Sequence, residues 1–320
     1  MALNIVPVLL FAAFSLFFLG SLVGTLETLI FQKRFDGYSF LRKISFKFLI
    51  YMTMMVLAIA ITYPTALAID TKSSFANAEL WNQTGLFMLS PLFFNALFQL
   101  SFSLLLCLLY SAISEHLGHD VLLNFFIGKY NKPVIERRIF MFLDMKDSTA
   151  IAEKLGHMKY FKLLGEYYEL MSDPIINHLG EVYQYIGDEV VVTWKSSRGF
   201  KNNNPVKCFF DIKQNLQLKQ DRFNNEYGVI PDFKAGIHVG ETTVGEIGAL
   251  KKEIVFVGDV LNTTARIQGM CNAHNTDLMI SDDLRSGLEE KGIDTHSLGE
   301  IRLKGKAGGI KLFSVNKMLQ

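Results

Sequence analysis

The sequence predicts a helical membrane region followed by one α+β domain whose strands and helices run in the order β-α-β-β-α-β. Long apolar runs fill the first third of the chain. Only ten of the 63 formally charged residues lie in the first 113 of the 320 positions. After about residue 136, short runs of β-branched and aromatic residues alternate with amphipathic helical segments, which is typical of a mixed α/β domain.

Three apolar runs are each long enough to cross a hydrocarbon core, which takes about 20 helical residues. They cover residues 5–31, 44–69 and 86–113. The first run is too long for the core of a signal peptide and lacks a basic start, so we expect it to stay as an anchor. Residues 1–113 are therefore predicted to form a multi-pass region in the lipid bilayer of the cell (inner) membrane.

The short loops between these runs differ in charge. Residues 32–47 hold five lysines and arginines, whereas residues 70–85 hold a single lysine. By the positive-inside rule the first loop is cytoplasmic and the second is external. The N-terminus then lies outside and everything after residue 113 lies in the cytoplasm. A net charge of +1 gives no indication of a nucleic-acid partner, and three cysteines suggest free thiols.

Residues 114–135 are interpreted as a connector, because Pro133 near their end should stop a helix that arrives from the membrane. Residues 136–320 have the ordinary size of one domain. Its first elements are predicted as strand 137–145, helices within 148–180, strands 181–186 and 189–194, helix 205–228 and strand 233–240. This order is the ferredoxin-like arrangement, and further hairpin and helical segments follow it.

The stretch YQYIGDEVVVTW, residues 183–194, places an acidic turn between two strands. In the predicted arrangement the first strand lies antiparallel beside the third, so Asp144 at the end of one should meet Asp188 at the start of the other. Alone, Asp188 would be an ordinary turn former. Two converging carboxylates without His or Cys are hard oxygen ligands that suit Mg²⁺ or Mn²⁺. Glu189 is expected to face away by strand alternation.

Two further motifs follow along the chain. In GDVLNTTARIQGMCN, Asp259 is a candidate N-cap, and Asn262 and Arg266 are four residues apart and so share one helix face. In LKGKAGG, Lys304 and Lys306 flank a glycine. Each motif alone is also compatible with a solvated surface.

Taken in order, FLDMKDST, YIGDEVVVTW, FKAGIHVG, VGDVLNTTAR and LKGKAGGIKLF resemble the catalytic domain of the class III adenylyl and guanylyl cyclases, over about residues 136–315. The resemblance implies two ions of Mg²⁺ or Mn²⁺ per site. It assigns them to Asp144 and Asp188, with the Met145 carbonyl as a further ligand. It also implies a homodimer in which each active site draws on both chains.

The resemblance assigns the remaining roles residue by residue. Asn262 matches the asparagine that positions the ribose, and Arg266 matches the arginine that stabilises charge on the reacting phosphate. Lys304 matches the lysine that holds the terminal phosphates, with Lys306 as the less favoured alternative.

Base recognition departs from the family pattern at two positions. Gln184 stands where adenylyl cyclases usually carry lysine and guanylyl cyclases glutamate, and Val255 stands where an aspartate or threonine usually assists. A glutamine amide can donate and accept, whereas valine offers no hydrogen bond. ATP is the favoured substrate, because glutamine can still donate to the adenine ring, and GTP stays open.

The sequence thus predicts a membrane-anchored adenylate cyclase that forms 3′,5′-cyclic AMP and pyrophosphate from ATP. One alternative is a weakly active or inactive nucleotide-binding signalling module, which the unusual base-reading positions keep open. A guanylyl cyclase is another. A diguanylate cyclase is disfavoured, because IGDEV, residues 186–190, lacks the second glycine and the phenylalanine of that family's signature.

Overall fold

The structure, a computed structural model, describes residues 38–117, 127–289, 293–306 and 308–318, together with some positions between 13 and 29. The chain divides into two compact units, Met1–Ile127 and Gly128–Gln320. The final residues of the predicted connector, from Gly128 onward, therefore belong to the second unit. There the Tyr130 carbonyl accepts a 3.1 Å hydrogen bond from the Glu246 amide.

The first unit contains the described helices α1 (Phe40–Thr71), α2 (Ala78–Met88) and α3 (Pro91–Leu117). Helix α1 and the Pro91–Ser114 part of α3 are long and apolar enough to cross a membrane. Most of the predicted first span lies outside the described residues. Buried Tyr51 of α1 packs with Leu26 and Leu104, so described parts of the first and third predicted spans both contact the second.

The predicted third span, 86–113, is divided in the structure between two helices. Residues 86–88 end α2, and α3 begins at Pro91. The break has a local cause, because the Ser90 hydroxyl oxygen accepts a hydrogen bond from the Phe93 amide at 3.2 Å. Proline also suits the first position of a helix, where its missing N–H would have no helical partner.

The second unit is built on one eight-stranded sheet with the order β2-β3-β1-β4-β6-β8-β7, and β5 pairs with β4. The strands are β1 (Val134–Met145), β2 (Glu181–Ile186), β3 (Glu189–Lys195), β4 (Phe233–Ile247), β5 (Glu253–Val257), β6 (Leu278–Ser281), β7 (Ile293–Arg302) and β8 (Gly309–Met318). Strand β1 pairs antiparallel with both β3 and β4. The predicted β-α-β-β-α-β arrangement is confirmed.

The helices of this unit are α4 (Ser148–Leu155), α5 (His157–Asn177), α6 (Ser196–Gly199), α7 (Asn204–Leu218), α8 (Gln220–Tyr227), α9 (Asp259–Gly269) and α10 (Asp282–Arg285), and a 3₁₀ turn covers Lys201–Asn203. The predicted helix 205–228 is two helices that meet at Lys219, where the backbone leaves the helical region. Helices α4 and α5 likewise meet at Gly156, which has φ +72°, a value that glycine adopts without steric cost.

Strand β1 carries buried side chains on both faces. Ile139, Met141 and Leu143 belong to the large core, which also includes side chains of α5 and α7. Phe140 and Phe142 point to the opposite face and pack with residues of β3 and α9. Side chains alternate along a strand, so residue 144 lies on the same face as Phe142, toward α9.

Candidate active site

Asp188 lies in the turn between β2 and β3. Gly187 precedes it with φ +65°, which is left-handed backbone that suits glycine. The Tyr168 hydroxyl of α5 donates a hydrogen bond to the Gly187 carbonyl and ties the turn to that helix. Strands β1 and β3 stay in register up to Leu143 and Val190. The turn therefore lies beside the end of β1, where Asp144 is found.

The carboxylates of Asp144 and Asp188 lie within interaction range of each other. Burial raises the pKa of Asp188 above its usual value; the Ser148 hydroxyl opposes this shift, and the negative charge of Asp144 adds to it. The Asp188 Oδ2 atom is buried and has no hydrogen-bond partner among the described residues. A buried carboxylate oxygen beside a second carboxylate is unfavourable unless a cation or a donor approaches it.

Glu189 departs from its expected position. Burial, followed by the charges of Asp144 and Asp188, raises the pKa of Glu189 to about 7. Asp188 belongs to the turn, so alternation along β3 starts only at Glu189. Glu189 therefore lies on the sheet face that carries Val191 and Asp144, and not on the opposite face.

Two side chains that the sequence motifs did not single out hold Asp144. The Gln268 amide nitrogen of α9 donates a hydrogen bond to Asp144 Oδ2 at 3.0 Å. The Lys234 ammonium lies 3.4 Å from the same oxygen, because Lys234 pairs directly opposite Asp144 across β1 and β4. The amide and the ammonium restrict the rotation of the carboxylate and leave its other oxygen for a ligand.

Asn262 and Arg266 lie one turn apart on α9. Asn262 is exposed and Arg266 is half-buried. The Arg266 guanidinium lies against the loop between β7 and β8, since a Cβ built on Gly305 would be 3.3 Å from its Nη2 atom. Gly305 also has φ +75°, so this turn favours glycine for two reasons. Exposed Lys304 directly precedes Gly305, so the loop carries this lysine close to Arg266.

The two lysines of this loop have different surroundings. Lys306 forms an ion pair with Asp259 Oδ2 at the start of α9, and the Thr263 hydroxyl donates to the same oxygen at 3.2 Å. These contacts, with the Lys306 hydrogen bond first, lower the pKa of Asp259. Lys304 is exposed, with no ion pair to a described residue. Lys304 is therefore the more accessible of the two lysines.

The two predicted base-reading positions lie on different strands. Gln184 is exposed on β2, and Val255 is half-buried on β5 opposite Gly245 of β4. Their chain neighbours, Tyr183 and Phe256, contact each other with ring centroids 4.8 Å apart. Because these neighbours are in contact, Gln184 and Val255 lie near each other within one chain.

The two groups of predicted site residues are separate in the described part of one chain. Among the described contacts, neither Asp144 nor Asp188 forms a hydrogen bond or an ion pair with Asn262, Arg266 or Lys304. Helix geometry explains this separation. Gln268 points from the buried side of α9 to Asp144, whereas Asn262 lies on the exposed side, because positions six apart are rotated well away from each other.

Comparison with known proteins agrees with the fold and the motifs. A family model described as the adenylate and guanylate cyclase catalytic domain matches residues 132–317. A protein of Rhizobium meliloti (strain 1021) named adenylate cyclase 2 is 35% identical over 204 residues, which are 63% of this chain and 56% of that protein. The chain thus spans about half the length of this curated relative.

Solved structures show the same fold. A bacterial light-regulated adenylyl cyclase superposes with a TM-score of 0.58 at 21% identity, over 67% of this chain and 63% of the other. The adenylyl cyclase CyaB from P. aeruginosa superposes with a TM-score of 0.53 at 18% identity, over 59% of this chain and 98% of the other. With the family match over more than half of its length, the chain belongs to the family of adenylate and guanylate cyclase catalytic domains.

Proposed function

We propose that this chain is a membrane-anchored adenylate cyclase that converts ATP to 3′,5′-cyclic AMP and pyrophosphate at the interface of a homodimer. The observation that carries the proposal is the buried, unpartnered Asp188 Oδ2 beside Asp144. It lies on a domain of the cyclase family, and the relative from Rhizobium meliloti is named an adenylate cyclase.

The aspartate pair fits divalent cations. The described residues hold no group of three or more His, Cys, Asp and Glu side chains that would bind a metal ion. Two carboxylates instead leave coordination positions for substrate phosphates, which suits Mg²⁺ or Mn²⁺. Asp144 and Asp188, with the Met145 carbonyl, would hold two ions. When bound, such ions neutralise charge on the phosphate oxygens and favour ionisation of the ribose hydroxyl.

The reaction is intramolecular in the nucleotide. The ribose 3′-oxygen forms a bond to the α-phosphorus, the bond from that phosphorus to the bridging oxygen of the β-phosphate breaks, and the 3′-hydroxyl proton is released. Orientation of the ribose is therefore a large part of the catalytic task. Asn262 would position the ribose. Arg266 would donate to the α-phosphate as its negative charge grows, and Lys304 would hold the leaving pyrophosphate.

The proposed homodimer is supported by the separation of the two residue sets. Each chain has Asp144 and Asp188 on one surface and Asn262, Arg266 and Lys304 on another. A two-fold axis that brings the first set of one copy to the second set of its partner generates two equivalent sites. The absence of direct contacts between the sets in the described residues supports this arrangement.

Substrate preference tests the proposal directly. The purified full chain with Mg²⁺ or Mn²⁺ should form cyclic AMP from ATP, with a modest preference over GTP, because Gln184 can bond either purine. Gln184→Glu should shift the preference toward GTP, since an acceptor-only carboxylate suits the donors of guanine. Mass spectrometry identifies and quantifies the cyclic product that forms from each of the two substrates.

Gln217→Glu provides the matched control for this experiment. It adds the same charge at an exposed position of α7 and should leave the preference unchanged. Formation of cyclic GMP alone by the wild type would favour the guanylyl cyclase alternative. Nucleotide binding without any cyclic product would favour the signalling module.

Membrane topology gives a second test. The charge asymmetry of the short loops favours a topology in which the segment between α1 and α2 is outside the cell and the catalytic unit is in the cytoplasm. A Ser73→Cys protein, with Cys107 replaced by Ser, should react with a membrane-impermeant thiol reagent in intact cells whose outer barrier is permeabilised. Protection of this cysteine in intact cells, with labelling only after lysis, would reverse the predicted topology.

A further inference from the structure

Strand β2 contains a bulge at Tyr183. Val182 pairs with Val192 and Gln184 pairs with Val191, so Tyr183 has no partner on β3. A bulge interrupts the alternation of side chains, and two consecutive residues can then face the same side of the sheet. Tyr183 packs on the cluster that contains Val191, and Gln184 lies directly opposite Val191. Both side chains therefore lie on the face that carries the active-site residues.

The Tyr183 side chain reaches strand β5. Its ring meets Phe256 edge to face at an angle of 86°, and its hydroxyl oxygen accepts a 3.4 Å hydrogen bond from the Phe256 amide. In the described sheet β5 pairs with β4 alone, so this amide lies on the free edge of β5. Phe256 directly follows Val255. The hydroxyl is therefore placed at the strand edge beside the second base-reading position.

Packing around Phe256 holds this hydroxyl in place. Phe256 also contacts the Phe140 ring, with centroids 5.5 Å apart, and the Arg138 guanidinium lies 4.7 Å from its ring centre. Arg138 is itself buried and forms ion pairs with Glu136 and Glu181 at 2.7 and 3.0 Å. A hydroxyl held by such a packed cluster loses little side-chain entropy when it binds a ligand.

We propose that Tyr183 is a further specificity-determining residue, whose hydroxyl donates a hydrogen bond to N1 of adenine and supplies the polar contact that Val255 lacks. The inference rests on the proposed function, because it takes Gln184 and Val255 as the base-reading positions. A phenol accepts a hydrogen bond from Phe256 and still has its own proton to donate. N1 of adenine is an acceptor, whereas N1 of guanine carries a hydrogen, so the contact favours ATP.

The test combines a protein change with a substrate change. Tyr183→Phe removes the hydroxyl and keeps the ring contact with Phe256. We expect kcat/KM for ATP to fall by about tenfold, the usual upper range for one hydrogen bond, and kcat/KM for GTP to fall less. With 1-deaza-ATP, in which carbon replaces N1, the same substitution should change kcat/KM by less than about twofold, because that contact is already missing.

Tyr185→Phe is the matched control on the same strand. Tyr185 packs against Tyr168 of α5 on the opposite face of the sheet, with the rings tilted by 42° and their centroids 4.6 Å apart. Its substitution should leave kcat/KM unchanged for both ATP and 1-deaza-ATP. An equal loss with ATP and 1-deaza-ATP would assign Tyr183 a structural role and overturn the proposal. An unchanged kcat/KM for ATP in Tyr183→Phe would overturn it as well.

Binding without turnover separates this inference from the proposed function. Displacement of methylanthraniloyl-ATP from the full chain measures binding. ATP should displace it less well from Tyr183→Phe than from the wild type, whereas 1-deaza-ATP should displace it about equally from both proteins. If the wild type forms no cyclic nucleotide, the proposed function fails while the displacement data still test Tyr183. Equal displacement changes for both nucleotides contradict the N1 contact even in an active enzyme.

Discussion

Substitution of Asp144 or Asp188 by alanine or asparagine should reduce cyclase turnover by more than about a hundredfold. Loss of an outer-shell partner of a metal ligand alone typically costs 10- to 100-fold in activity, and these carboxylates are the proposed ligands themselves. Formation of cyclic AMP in Mg²⁺ and in Mn²⁺ measures the effect. Full turnover in EDTA, or by either variant, would contradict two-metal catalysis.

The Asp188→Asn substitution should leave the fold intact. Asp188 Oδ2 has no hydrogen-bond partner among the described residues, so asparagine removes no favourable contact there and relieves repulsion between two carboxylates. Thermal unfolding of the metal-free protein should therefore occur at the same temperature or slightly higher. Asp221→Asn, at an exposed position of α8, is the charge-matched control and should keep full activity. A large fall in the unfolding temperature of Asp188→Asn would instead indicate a structural role.

Co-expression of two inactive variants should restore activity. Asp144→Ala and Arg266→Ala proteins change different residue sets, so a mixed dimer has one site with both changes and one intact site. With random pairing half of the dimers are mixed, and roughly a quarter of wild-type activity should return. Cyclic AMP formation by the unfractionated mixture measures this quarter, and mixed dimers isolated by tandem purification through two different tags should have about half of wild-type activity.

The pair Asp144→Ala and Asp188→Ala is the matched control for this experiment. Both changes belong to the metal set, so each site of a mixed dimer contains one of them and no activity should return. Recovery in this control pair would show that the sites are not shared as proposed. Mixed dimers of Asp144→Ala and Arg266→Ala that stay inactive would show that each site is formed within one chain.

Several features of the site could be predicted because they depend on local sequence. The hairpin around Asp188 follows from strand-forming runs on both sides of a Gly-Asp turn, and β2 and β3 have the predicted starting residues. The common face of Asn262 and Arg266 follows from helical periodicity. The order of the elements then indicated that β1 and β3 are neighbours, and the pairing confirms this.

Other features depend on contacts between residues distant in sequence. Gln268 meets Asp144 across 124 positions, and Lys234 meets it only because the register of β1 and β4 places the two opposite each other. Strand β4 extends to Ile247, beyond its predicted end at residue 240, because its second half pairs with both β1 and β5. Local sequence patterns therefore could not predict these partners.

The sequence by itself determined the order of strands and helices, the two aspartates, the helix that carries Asn262 and Arg266, and the family to which the motifs point, because each depends on spacing along the chain. Only the tertiary structure decided which groups surround these residues. It put Glu189 on the same sheet face as Asp144 and paired Lys306 with Asp259. Through a bulge it also placed the Tyr183 hydroxyl on the edge of β5. The physical reason is that strand register, bulges and helix packing bring together residues between which the sequence shows no relation.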